Sequence, residues 1–445
     1  MSRRNARRKI SEVPVCAEIE DFCHDGRGLS HVDGRVVFVE GALPGERVEM
    51  EYIAVKRDFA ETRVTQVFEA SPLRVEPKCE YYGVCGGCSL QHLEPELQIE
   101  IKQRILEQQF RRIGRLEPVP FWPPIRGPLW AYRHKTRLGV KYLAKKQRVL
   151  VGFREKSGRY LADMQHCEVL HPMLGSRLGE IGEVIFSLSI RDRIPQVEAA
   201  VGDCACVLVL RNLSPASEND RRILAEYGRL QGFSIYLQPK GPDSLEPVDG
   251  VAGRSLSYFL PKYGIEFHFE PLQFTQVNVE INQILIDRAI EVLEPTENDR
   301  VIDLFCGIGN FTLPLARRAQ QVVGVEANPE LIATARKNAE INGIGNVDFE
   351  IADLNQNLDA ESWANQTYSL ALLDPSRAGA EEVLNYLPRW GVRRVVYISC
   401  NPATLARDSA ILCTQLGYRM QGAGVMDMFP QTSHVESMAC FEKAL

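Results

Sequence analysis

Val301-Ile302-Asp303-Leu304-Phe305-Cys306-Gly307-Ile308-Gly309-Asn310 is an apolar run that breaks into a glycine turn. The run reads as a buried strand, and the two glycines let backbone approach a ligand where the next helix begins. Four more short apolar runs follow: Val322 to Val325, Val347 to Ile351, Leu370 to Leu373 and Val395 to Ile398. Helical patterns separate them, and strands alternating with helices predict right-handed crossovers and an α/β, doubly wound, Rossmann-like parallel sheet. Asn328 as N-cap, Pro329 as first helical residue and Gly343 as stop bracket one of those helices.

The strand ends narrow the ligand. Glu326 lies 19 residues after Gly307, where a carboxylate accepts from ribose hydroxyls. Dinucleotides and S-adenosylmethionine both use that arrangement. A dinucleotide fingerprint wants a third glycine at 312, and this chain has Thr312, which favours the methyl donor. Asp353, after the third run, is placed to read an adenine edge. Asp374-Pro375 ends the fourth run, where the methyl acceptor must lie. Ser376-Arg377 follow in place of the proline and aromatic of amine methylases, so amine methylation is disfavoured.

Ser399-Cys400-Asn401-Pro402 ends the fifth run and offers another chemistry. By residue type alone a strand-end cysteine is a small buried hydrophobe. Delivered into the cofactor crevice, it is instead placed as a nucleophile. Carbon C5 of a pyrimidine becomes nucleophilic once a thiolate adds to C6. A base must then remove the C5 proton, and Glu436, opening the last strand beside the one that ends at Cys400, is the candidate, with His434 as its rival.

The remaining chain is differently built. Its 445 residues exceed one core, predicting two or three domains. No apolar stretch is long enough to span a bilayer and no signal-peptide pattern appears, so a cytoplasmic location is expected. Net charge is −6 but uneven: five of the first ten residues are basic, and eleven Lys and Arg lie between Arg126 and Tyr160 against one acid, Glu155. Interleaved with Trp130, Tyr132, Tyr142, Phe153 and Tyr160, that stretch reads either as a nucleic-acid footprint or as a solvated sheet face. Dense turn signals from Val13 to Ala70 suggest a small OB-type β-barrel. Leu97, Ile101 and Ile105 after Pro95 predict an amphipathic helix closed by Gly114, and 126 to 267 reads as strand-rich and irregular. Cys79, Cys85 and Cys88 form a C-x5-C-x2-C cluster needing a fourth ligand: Cys167, or His92 or His166 for zinc. The spacing favours iron–sulfur.

With these residues in view, the chain resembles the RNA uracil-C5 methyltransferases, and within them the 23S rRNA branch that carries an N-terminal TRAM domain and a [4Fe-4S] cluster. Gly26-Arg27-Gly28 through Pro44-Gly45-Glu46 matches the TRAM pattern. The resemblance implies Cys79, Cys85, Cys88 and Cys167 as cluster ligands. It implies Gln276, Phe305, Asn310, Glu326, Asp353 and Asp374 as S-adenosylmethionine or active-site contacts, Cys400 as nucleophile and Glu436 as base. The implied target is uridine 1939 of 23S rRNA, with no DNA or membrane partner and a monomeric state. The expected organisation is a basic tail at 1–10, a TRAM barrel at 11–70, the iron–sulfur cysteine loop at 71–93 and a helix packing on the methyltransferase domain at 94–124. A β-rich RNA-binding domain at 125–267 and the methyltransferase domain at 268–445 complete it. Residues 170 to 250 carry no alignable motif. The rival readings are an RNA cytosine-C5 methyltransferase, a non-catalytic rRNA-binding assembly factor and a dinucleotide-using iron–sulfur oxidoreductase, the last weakened by Thr312.

Overall fold

A computed structural model describes residues 14–444 apart from 24, 118, 157, 252 and 254, so the basic tail at 1–10 lies outside the described residues. The carboxy-terminal part is built on seven strands: β1 (Arg300–Leu304), β2 (Gln321–Glu326), β3 (Val347–Ile351), β4 (Leu370–Leu373), β5 (Arg394–Ser399), β6 (Tyr418–Met426) and β7 (Glu436–Lys443). Their order is β3-β2-β1-β4-β5-β7-β6. The first five are parallel, and β7 runs antiparallel between β5 and β6. Because the winding reverses between β1 and β4, a crevice opens beyond the carboxyl ends of those strands.

Helices α1 (Pro95–Gln109), α2 (Val279–Leu293), α3 (Pro329–Ile341) and α4 (Pro402–Thr414) accompany this sheet. α2 and α3 contribute Ile281, Leu285, Ile332 and Ala335 to one apolar layer; α1 and α4 contribute Ile99, Leu106, Leu405 and Ala406 to the other. With both faces covered, the parallel strands are continuous hydrophobic runs, which made them readable. Among the described residues no helix is long and apolar enough to cross a membrane.

The face of α1 differs from the expectation of Leu97, Ile101 and Ile105. The buried residues are Gln98, Ile99, Lys102, Ile105 and Leu106, a face turned by about one residue. Gln98 and Lys102 can lie inward because each finds fixed hydrogen-bond partners there. The chain then runs past a π-helical turn, Phe110–Gly114, and lies along β6, with Trp122 N donating to Ala423 O (2.7 Å) and Ile125 N to Val425 O (2.9 Å). That segment covers what would be an open sheet edge.

Residues 15–69 form a separate six-stranded sheet around Ile19, Val37, Val39, Val48, Met50 and Ala60. Glu46, fully buried, ties it to the next segment, accepting from Arg74 Nε (2.5 Å) and Nη2 (2.7 Å). The central part holds a second six-stranded sheet running from Glu246–Pro247 at one edge to Arg148–Gly152 at the other. It is less purely β than expected, since helices at Leu178–Ser187 and Glu218–Gln231 pack against it. The second had a readable start and stop, a Ser217–Asp220 capping box and Gly232 at φ 75°. The expected boundary at 267 falls inside the strand Ile265–Phe269. That strand and Leu256–Leu260 form a hairpin whose Tyr258, Phe267 and Phe269 share a core with β1 and α2.

Candidate active site

The turn after β1 is conformationally demanding. Phe305 takes φ 65°, and Gly307 and Gly309 take 55° and 90°. A non-glycine residue there costs on the order of 1–2 kcal/mol, a strain typical of ligand-binding turns. A Cβ added at Gly307 would meet no atom within 4 Å, so the turn faces open space. Beneath it, Thr312 Oγ1 donates to the buried Asp303 Oδ2 (2.5 Å), while Asp303 Oδ1 has no partner. The residue that breaks the dinucleotide fingerprint therefore anchors the turn. Burial, then the nearby Asp374 and Glu326 charges, push Asp303 up to about 7.

Among the expected cofactor residues beyond the turn itself, Glu326 is bonded to it. Glu326 ends β2 and accepts from Gly307 N (3.4 Å) and Asn328 N (3.0 Å). Asp353 follows β3, exposed, and accepts from Asn355 N (3.0 Å) and Nδ2 (2.9 Å), which holds its carboxyl below the usual range. Gln276 is half-buried two residues before Asn278, the N-cap of α2. Asn310 behaves differently. Its side chain exchanges hydrogen bonds with Asn282 (2.9 and 3.0 Å) and accepts from Tyr258 (2.8 Å).

Across the crevice the register of β5 and β7 decides the arrangement. Ser399 pairs with Ser437, so one further step sets Cys400 opposite Glu436. Two local devices hold the cysteine turn. Ser399 Oγ accepts from Asn401 N (3.1 Å), and the Asn401 side chain caps α4 through Ala403 N (3.1 Å) while donating to Arg377 O (3.0 Å). Burial, followed by the Asp374 charge, pushes the Glu436 carboxyl up to about 8, with Arg377 and Lys102 opposing. Burial alone pushes Asp374 up to about 7. The half-buried Cys400 thiol is also raised, by burial first and then by Glu436 and Asp374. Proton-holding groups with perturbed affinities thus converge at one strand-end crevice, a pattern of functional sites. The rival base His434 is exposed, with its Nδ1 at 3.2 Å from Arg377 Nη2. The sequence reading gave no role to Arg377, Gln98 or Lys102, whose partners lie far along the chain.

In the amino-terminal half, Cys79, Cys85, Cys88 and Cys167 line one cavity with Tyr82, Gln91 and Met164. His92 and His166, the zinc alternatives, do not line it. Burial, first among the causes, pushes Cys88 up to about 12 and Cys167 up to about 11 as free thiols. Among the described residues no group of three or more His, Cys, Asp and Glu could hold a single metal ion. A four-iron cubane attaches each thiolate to a different iron, so it fits a sulfur-lined cavity and needs no single point of convergence.

A family profile described as tRNA (Uracil-5-)-methyltransferase matches residues 259–444, and a TRAM domain profile matches 11–65. The 23S rRNA (uracil(1939)-C(5))-methyltransferase RlmD of Methylococcus capsulatus is 52% identical over 443 residues, covering 100% of both chains. The chain belongs to the uracil-C5 RNA methyltransferase family. The RlmD of Alkalilimnicola ehrlichii is 48% identical over 100% of this chain and 99% of its own. Among solved structures, the Pyrococcus abyssi tRNA (uracil-54, C5)-methyltransferase in complex with S-adenosyl-L-homocysteine aligns with a TM-score of 0.73 and 25% identity. That alignment covers 96% of this chain and 99% of the other. The amino-terminal sheet is thus a TRAM domain and the carboxy-terminal sheet the methyltransferase domain, with the hairpin from 256 included in the latter's core.

Proposed function

We propose that this chain methylates C5 of uridine 1939 in 23S rRNA, the target named in its 52%- and 48%-identical relatives. The observation that carries this reading is the β5–β7 register, whose last pair is Ser399–Ser437, so that Cys400 and Glu436 follow one step further at the strand ends, where the carboxylate acts on the thiol. In this reading Gln276, Phe305, Asn310, Glu326, Asp353 and Asp374 hold S-adenosylmethionine, which supplies an electrophilic methyl group to the activated C5. The open turn at Gly307 and the unpartnered Asp303 Oδ1 beneath it suit a ligand that brings its own polar groups.

The protein's own steps are proton and thiol transfers. Cys400 gives its proton to solvent water and its sulfur bonds to C6 as the C5–C6 π bond breaks, its electron pair making C5 a carbon nucleophile. After methylation, Glu436 in its ionised form takes the C5 proton, the C6–S bond breaks, and the thiolate leaves with its electron pair. A carboxylate that titrates at about 8 is a far better match to such a proton than an ordinary one. For RNA, the cleft between the TRAM sheet and the central sheet is lined by Arg27, Arg137, Lys141, Lys156 and Tyr160, suited to backbone and stacking contacts with folded rRNA whose target uridine flips out toward Cys400. The cavity formed by Cys79, Cys85, Cys88 and Cys167 supports a [4Fe-4S] cluster that organises the loop around it. An rRNA substrate in turn supports a cytoplasmic location.

The test uses a 23S rRNA fragment lacking the modification. Cys400→Ala is expected to lose both methylation and the covalent RNA adduct, and Glu436→Gln to accumulate a methylated adduct. Full turnover by the alanine variant overturns the scheme, and 5-methylcytidine in the product would substitute the cytosine reading.

A further inference from the structure

The turn that leads into Glu436 is held from outside the methyltransferase domain. Lys102 on α1, wholly buried, donates from Nζ to Asp427 Oδ1 (2.6 Å) and to Phe429 O (3.0 Å). One helical turn earlier, Gln98 exchanges hydrogen bonds with Gln431: its Nε2 donates to Gln431 Oε1 (3.0 Å) and its Oε1 accepts from Gln431 N (3.0 Å). Gln431 takes φ 67°, a left-handed conformation that needs such support. Its carbonyl accepts from Ser89 N (2.9 Å) and Leu90 N (3.0 Å), directly after Cys88.

A buried ammonium is expensive unless its partners are fixed, and a hydrophobic pair would hold a turn as well. What a hydrophobic pair could not supply is a positive charge beside a carboxylate. We propose that Lys102 is a positioning residue for the methylation: bonded to Asp427 and Phe429, it fixes the turn that presents Glu436 and sets a buried cation near that carboxylate. The inference rests on the reading of Glu436 as the base. The charges that act on Glu436 are Asp374 and Arg377 after β4 and Lys102 from α1, and Glu436 in turn acts on Cys400. Lys102 itself is paired with Asp427 (2.6 Å), and burial lowers its hold on its proton while Asp427 and Glu436 oppose that. Of the two cations Lys102 is the buried one, so it is screened least by solvent.

The experiment follows release of the methylated RNA adduct in single turnover across pH, using the full chain and the unmodified 23S rRNA fragment. Lys102→Met is expected to slow release about tenfold at neutral pH and to shift its rise about one pH unit upward, since one unit is a tenfold change in ionised base. Lys102→Arg keeps the charge and is expected to retain the wild-type pH midpoint. The double variant Lys102→Met/Asp427→Leu removes both charges, folds without an unpaired ion, and is expected to release the adduct as slowly as Lys102→Met. A folded double variant with the wild-type rate and midpoint overturns the inference while leaving Glu436 as base. Failure of Glu436→Gln to accumulate adduct overturns the base assignment, and this inference with it.

Discussion

Replacing Glu436 by Gln should stabilise the protein at alkaline pH while abolishing turnover. The carboxyl titrates at about 8 in the folded chain against an ordinary 4.5. A raised folded value means that the favourable contribution is complete below about 4.5 and is lost as pH rises through 8. Each pH unit in that window removes about 1.4 kcal/mol, an upper figure near 5 kcal/mol. Glu436 keeps partial solvent access, which brings the expected difference to roughly 2–4 kcal/mol. The amide mimics the protonated acid and does not titrate. Urea unfolding, followed by fluorescence of the buried Trp363 and Trp390, should give stabilities within about 1 kcal/mol at pH 5 and a clearly more stable variant at pH 8.5. Because Glu436 also pushes the Cys400 thiol up, alkylation of that thiol should begin at lower pH in the variant. A stability difference that stays constant between pH 5 and 8.5 refutes the reasoning.

Arg74→Ala should cost about 3 kcal/mol at neutral pH, because it strands the fully buried Glu46 carboxylate. Burial raises that carboxyl, but hydrogen bonds from Arg74 and the Leu43 and Ser71 amides outweigh it and hold it low, so the penalty is present above about 4.5 and should shrink as pH falls through the folded value, measurable as proteolysis of residues 15–69. Cys167→Ser, purified without oxygen, should lose iron and visible absorbance and expose residues 79–91 to protease; full iron retention would remove Cys167 from the ligand set.

Legibility followed locality. Strands β1 to β5 and the capped helix α3 were readable because burial on both faces, Asn328-Pro329 and Gly343 each leave a mark within a few residues. The Cys400 turn was readable for the same reason, since Ser399, Asn401 and Pro402 lock it from its own neighbours. The inward face of α1 was not: Gln98 and Lys102 look solvent-facing until Gln431 and Asp427, more than 300 residues away, arrive to pair with them. The hydrogen bonds that tie the Asn310 side chain to Asn282 and Tyr258 were not legible either, a contact no spacing rule encodes. The central helix at Glu218–Gln231 had legible caps and was missed because its surroundings alternate like strands.

The strip from Pro120 to Ile125 that lies along β6 has a consequence for how the enzyme can be divided. The methyltransferase profile begins at 259, yet the flank of that sheet is closed by residues contributed more than 130 positions earlier. A fragment cut at the similarity boundary would carry unpaired amides and an uncovered oily groove, and would stick to itself before it could work. The two halves are mechanically one piece: the front half of the molecule is part of the back half's wall.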